Sequence, residues 1–230
     1  MIPRLEAYCL SKPLHLANIV AVLLIGVALS CPGLVVAQSS TPADNPVQVG
    51  DHWTFDSRDE ITGLPRDTYT LLVTEVSPNE IVVRQSFRRQ SGFSIIVYDH
   101  NWDRIETSNI KWKPNDNRGI RPPLAVGKEW RSELEARNTE NGAAFKNTIL
   151  SKVVAQETLT ATAGMLDTFK IETRIREFNV ANPSKTWDYE SVNWYAPLTN
   201  FWVRRQFLTK VQKRTTERIS EELIEFGRKP

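Results

Sequence analysis

Residues 168–178 read TFKIETRIREF, and the stretch alternates almost without error. Phe169, Ile171, Thr173 and Ile175 fall on one side, and Lys170, Glu172, Arg174 and Arg176 on the other. Side chains of an extended chain point to opposite faces with a period of two, so this pattern specifies a strand with one core face and one wet face. It recurs in DTYTLLVTEV (67–76), where Tyr69, Leu71 and Val73 share a side, and in FWVRRQFLTKV (201–211), which aligns Phe201, Val203, Phe207 and Val211. SPN at 77–79 turns the chain, and EIVVRQSF (80–87) returns as a hairpin partner. Convincing amphipathic helices are scarce. The best candidate, TTERISEELIEF (215–226), spaces Ile219 and Leu223 four apart but also alternates, so periodicity alone leaves it open. Prolines 114, 122, 123, 183 and 197 fall in connections, where they cost no central ladder bonds. The expected class is all-β, mainly antiparallel, with few helices: a curved sheet, a half-barrel or a two-sheet sandwich.

The motif Val-Gly-x-x-Trp occurs twice, at Val49–Trp53 and Val126–Trp130. A strand-like run follows each copy at similar spacing, ending at Val76 and Val154, 23 and 24 positions past the tryptophan. Gly50 and Gly127 permit a backbone bend, and Trp53 and Trp130 can seal a sheet end while the indole N–H reaches a carbonyl. Two related β-rich halves account for the repeat; coincidence between two strand starts is the alternative.

The first 37 residues differ from the rest. Arg4 and Lys12 precede the uncharged apolar run LHLANIVAVLLIGVALS, and small or apolar Val35 and Ala37 stand before Gln38. That order is a secretory signal peptide cleaved before Gln38. The alternatives are a membrane anchor through an uncut leader, since roughly 20 apolar residues span a bilayer, or lipidation of Cys31. Residues 38–46 form a polar flexible tether, and 47–230 a single β-rich domain of periplasmic or secreted location, with no transmembrane span after cleavage. Cys9 and Cys31 leave with the leader, so no disulfide is available to the mature chain. The remaining 27 basic and 26 acidic side chains give a net charge of +1, far from the basic field of a nucleic-acid binder.

No cofactor is implied. His52 and His100 are the only imidazoles beyond the leader, without a thiolate beside them, so a zinc centre lacks donors. Asp99-x-Asn101-x-Asp103 imitates the start of a calcium loop, but Arg104 stands where glycine is needed and Ile110 where a bidentate glutamate is needed, so a polar turn is expected. There is no GxSxG elbow, and Glu221-Glu222 reads as a solvated pair, so no catalytic constellation emerges.

Two enrichments remain. All seven tryptophans lie beyond the leader. Each is expected in the core, except Trp112, whose polar, loop-like surroundings make it a candidate ligand or partner contact. Arg204, Arg205, Lys210, Lys213, Arg214 and Arg218 fall within fifteen residues beside one acid, Glu217. They read as the wet face of an edge strand, with contact to an anionic lipid or envelope component as the functional alternative.

The stretch AGMLDTFKIE (163–172), with Gly164 and Phe169, then Trp194-Tyr195-Ala196-Pro197, Trp202-Val203-Arg204 and Glu222-Leu223-Ile224-Glu225-Phe226, together with the two VGxxW entries, resembles a group of uncharacterised bacterial secreted β-rich envelope proteins. Met165-Leu166 stand where that group favours a bulky aromatic. The resemblance implies a secreted antiparallel β domain of unassigned function, makes Arg214–Phe226 a strand, and is distantly similar to the open half-barrels of periplasmic lipoprotein carriers. The expected function is a non-enzymatic periplasmic domain binding an apolar or amphiphilic envelope ligand. The alternative is an envelope assembly module that uses a sheet edge and exposed aromatics. A buried apolar cavity would favour the first; a filled core with a flat aromatic patch would favour the second.

Overall fold

The computed structural model describes residues 46–211 and 213–228; the leader and nearly all of the tether lie outside them. Among the described residues every helix or strand is a strand: β1 (Asp51–Asp59), β2 (Pro65–Val76), β3 (Ile81–Phe87), β4 (Ser94–Tyr98), β5 (Arg104–Thr107), β6 (Ile110–Lys113), β7 (Glu129–Asn138), β8 (Ala144–Ala161), β9 (Gly164–Asn179), β10 (Thr186–Ala196), β11 (Phe201–Val211) and β12 (Arg214–Arg228). Each pairs antiparallel with the next. The ambiguous C-terminal segment is strand β12, and it returns to pair with β1, Asp51 opposite Arg228 and Asp59 opposite Ile219.

That last pairing closes a twelve-stranded barrel and replaces the expected half-barrel, open curved sheet or sandwich. Alternation states that a strand has a core face and a wet face. It does not state whether the first and last strands meet, which is a long-range hydrogen-bonding event. Closure also leaves no free sheet edge among the described strands.

The repeated entry forms similar corners ahead of β1 and β7. Gly50 and Gly127 both take positive φ, 92° and 90°, a conformation that costs glycine little. The Gly50 amide donates to Val73 O at 3.0 Å, and the Gly127 amide to Val153 O at 2.8 Å. Both accepting strands are irregular just past that valine. The indole Nε1–H donates to a carbonyl in each case: Trp53 to Thr199 at 2.9 Å, and Trp130 to Asn117 at 3.4 Å.

The interior holds two apolar clusters. The larger gathers Trp53, Phe55, Leu71, Val83, Trp102, Phe169, Tyr195, Phe201 and Leu223 among others; the smaller comprises Trp112, Leu134, Ala136, Ile149 and Ile175. Outward positions are charged, as in Lys152, Glu172, Arg174, Arg176, Asp188 and Glu190. This is the reverse of a transmembrane barrel, whose outer face carries an apolar band. No described helix is long and apolar enough to cross a membrane. Trp194 points outward from β10 yet is 7% exposed. The long β8–β9 hairpin covers it: Glu157 accepts its indole N–H at 2.6 Å and Lys170 Nζ lies 5.2 Å from the ring centroid. The hairpin tip is tied to β12, where Glu222 accepts the Thr162 amide at 3.0 Å.

Candidate functional site

In six strands the inward row is interrupted by at least one polar residue, and along β8, β9 and β10 that interruption separates the smaller apolar cluster from the larger. Ser151 separates Ile149 from Val153, Thr173 separates Ile175 from Ile171, and Ser191 and Asn193 separate Tyr189 from Tyr195. Arg205 lies between Val203 and Phe207, Glu221 between Ile219 and Leu223, and Gln85 between Val83 and Phe87. The register aligns them: Ser151 opposes Thr173, Thr173 opposes Ser191, Asn193 opposes Arg205, and Arg205 opposes Glu221. A polar belt therefore crosses the barrel interior at one level.

The belt borders a cavity of about 260 Å³. Its polar wall carries Arg104, Arg118, Arg205, Asp116 and Glu221, with Gln85, Ser191 and Asn193; its aromatic wall carries Tyr69, Tyr98, Trp102, Trp202 and Phe207. A separate groove of about 480 Å³ lies on the outer wall, lined by Asp56, Arg58, Arg204, Ser220 and Glu222 among others.

Asp116 is 1% exposed and organises one side. Its Oδ2 accepts Nε–H from Arg104 at 2.7 Å and from Arg118 at 3.1 Å, while Oδ1 accepts both backbone amides at 3.1 Å. Burial alone would raise its pKa, but the guanidiniums of Arg118 and Arg104 hold it below the ordinary carboxylate range. Burial, with Arg104 close by as a like charge, lowers Arg118 to about 10. Burial also acts to lower Arg104, where the charge and hydrogen bond of Asp116 together with Tyr98 outweigh it and leave the guanidinium raised. Among the described residues no hydrogen bond engages the terminal Nη groups of Arg104 or Arg118. On the opposite side Arg205 donates Nε–H to Asn193 Oδ1 at 3.2 Å and lies 4.5 Å from the Phe207 ring centroid. Its Nη1 stands 3.7 Å from Glu221 Oε2. That oxygen is buried without a hydrogen-bond partner among the described residues. Three cations thus face two carboxylates, one fully engaged and one not.

The residues expected to touch a ligand or partner scatter. Arg205 enters the interior belt. Arg204 and Lys210 are held in outer-wall ion pairs, with Glu222 at 2.8 Å and Glu190 at 2.7 Å. Lys213, at positive φ, and Arg214 sit in the exposed β11–β12 turn and its exit. Trp112 is not in a polar loop: it lies on β6, 8% exposed, with the Arg104 guanidinium 4.9 Å from its ring centroid. Glu221 belongs to the interior rather than to a solvated pair. One signal was available for Arg205, because its odd-numbered row contains Phe201, Val203 and Phe207. Arg104, Asp116 and Arg118 had none, since two of the three lie in a loop.

The structural residues form the scaffold. Gly164 opens β9 at φ 121°, and Phe169 is 2% exposed. Tyr195 donates its hydroxyl to Asn200 Oδ1 at 3.0 Å, and Pro197 O accepts the Asn200 amide at 3.1 Å. The calcium-like segment is a turn whose carboxylates serve the chain itself. Asp99 Oδ1 accepts the amides of Asn101 and Asp103 at 2.9 Å, and Asp103 Oδ1 accepts that of Gly119 at 2.7 Å.

No protein-family model matches the sequence, and no curated protein sequence matches it significantly. The fold is similar to that of a "putative lipoprotein" from Parabacteroides distasonis ATCC 8503, with a TM-score of 0.51 and 16% identity over 79% of this chain and 97% of that one. It is equally similar to a "putative exported protein with YmcC-like fold" from Bacteroides fragilis NCTC 9343, with a TM-score of 0.51 and 14% identity over 80% and 98% of the two chains. At these identities the likeness is one of fold. The class defined by fold and site is a closed antiparallel barrel with a charged exterior and a polar belt inside.

Proposed function

We propose that this protein is an exported, non-enzymatic envelope barrel that binds a small polar molecule in the interior belt. Its export follows the leader pattern of residues 1–37 and accords with the lipoprotein and exported-protein descriptions of the two structural neighbours. The observation that carries the reading is the polar cavity bordered by the larger apolar cluster. Buried polar groups are costly unless satisfied, so a stability-driven sequence would have continued the apolar rows through Arg205 and Glu221. An acyl chain would need an apolar tunnel, and here the apolar parts of the interior are filled by side chains. The closed sheet also offers no edge to an assembly partner.

Native mass spectrometry of the gently purified full chain tests this reading. A small polar adduct, lost on unfolding, is the expected result. A lipid adduct would restore the amphiphile reading, and a bare mass under conditions that preserve known ligand complexes would overturn a tightly held ligand.

A further inference from the structure

We infer that the ligand of this belt is a compact carboxylate of single negative charge bearing hydroxyl groups. This rests on the binding function proposed above and adds the chemical class. The lining holds Arg104, Arg118 and Arg205 against Asp116 and Glu221, a surplus of one positive charge. Glu177, a further carboxylate whose charge reaches Arg118, lies outside this lining and accepts the Tyr189 hydroxyl at 3.1 Å. Asp116 takes the Nε–H groups of two arginines, which leaves their planar Nη ends for a carboxylate, the partner that a guanidinium fork fits best. One negative charge balances the lining.

Glu221 sets the second requirement. Its Oε2 stands 3.7 Å from Arg205 Nη1 and its carboxylate faces the Tyr69 hydroxyl, but that oxygen has no hydrogen bond of ordinary length among the described residues. A buried carboxylate oxygen repels a second anionic group and seeks a donor, so it selects a ligand that offers a hydroxyl there. Ser191 and Asn193 line the same cavity and can bond further hydroxyls, while Trp102, Trp202 and Phe207 form its apolar wall.

Isothermal titration calorimetry on the full chain tests the class with matched probes: D-glucuronate against D-glucose, D-glycerate against glycerol, and inorganic phosphate. At least one acid should bind, with its neutral twin at least tenfold weaker. Arg205→Gln and Arg118→Gln should each weaken the acid about tenfold or more, and Glu221→Gln should improve phosphate by removing a repulsive charge. Circular dichroism and the conservative Arg205→Lys variant separate lost binding from lost folding, and the wild-type pairs need no variant. Neutral twins binding as well as the acids, or phosphate binding more tightly than either acid, would overturn the ligand class and leave the binding function standing. Silence from every probe, with a bare native mass, would remove both.

Discussion

The indole N–H of Trp53 donates to the carbonyl of Thr199 at 2.9 Å, joining the entry of the first strand to the turn between β10 and β11, 146 positions away. Trp53 also stacks on Phe201, ring centroids 4.6 Å apart, and meets Trp102 edge-on at 5.4 Å. The first half of the chain is therefore latched to the second at the VGxxW corner.

Trp53→Phe keeps most of the ring packing and leaves the Thr199 carbonyl without its donor, so it should cost about 1–2 kcal/mol. Trp53→Ala adds a cavity and should cost about 3–5 kcal/mol. Urea denaturation measures both, and equal losses would mean that the hydrogen bond rather than packing holds the corner.

Within the belt, Ser151 and Thr173 share a hydrogen bond of 2.9 Å at 4% and 2% exposure. Thr173→Val alone strands the serine hydroxyl and should cost about 1–2 kcal/mol, whereas Thr173→Val with Ser151→Ala should cost less than the sum of the singles. A double-mutant cycle reads the coupling directly; additive losses would show that the hydroxyls do not need each other.

Gly119 packs against the β4–β5 turn so closely that a Cβ there would stand 2.0 Å from Asn101 O and 2.7 Å from the Asp103 amide. Both contacts are with backbone, so Gly119→Ala must displace the loop bearing Arg118. A loss of about 3 kcal/mol is expected, together with weakened binding in the belt. A variant of wild-type midpoint would show that this loop is free to move.

Two buried aspartates give opposite dependences on pH. Burial would raise Asp116, but Arg118 and Arg104 hold its folded pKa below the unfolded value of about 3.9, so its contribution is present above that pH and is lost as pH falls through the folded pKa. Burial raises Asp103 to about 6 despite Arg121. The folded state then binds the proton more tightly, and the Asp103 contribution declines as pH rises from about 4 to about 6. Asp103→Asn should remove that slope from the urea midpoint between those pH values. Asp116→Asn should remove the acid-side loss and, by leaving two arginines facing each other, cost about 3 kcal/mol at neutral pH. Unchanged slopes in both variants would assign the pH dependence elsewhere.

Much of the scaffold was legible because strand sidedness is local. Phe169, Ile171, Thr173 and Ile175 are all buried in the alternation that the sequence displays. The glycine bend was legible for the same reason, since positive φ at Gly50 is a local property, whereas the carbonyl that the Trp53 indole reaches lies 146 positions away. The site was less so. Arg205 stands in an apolar row, yet its neighbours Arg204 and Lys210 drew it into an apparent surface stripe that the barrel divides between interior and wall.

By itself, the amino-acid sequence determined that this chain forms antiparallel strands with one dry and one wet face, entered twice through a glycine turn and a tryptophan. Tertiary structure decided that β12 closes on β1, that the β8–β9 hairpin buries an outward-facing Trp194, and that Arg104, Asp116, Arg118, Arg205 and Glu221 border one cavity. The physical reason is range. Alternation is set by backbone geometry between adjacent residues, whereas closure and the meeting of charges depend on register summed around twelve strands, and no single segment carries that sum.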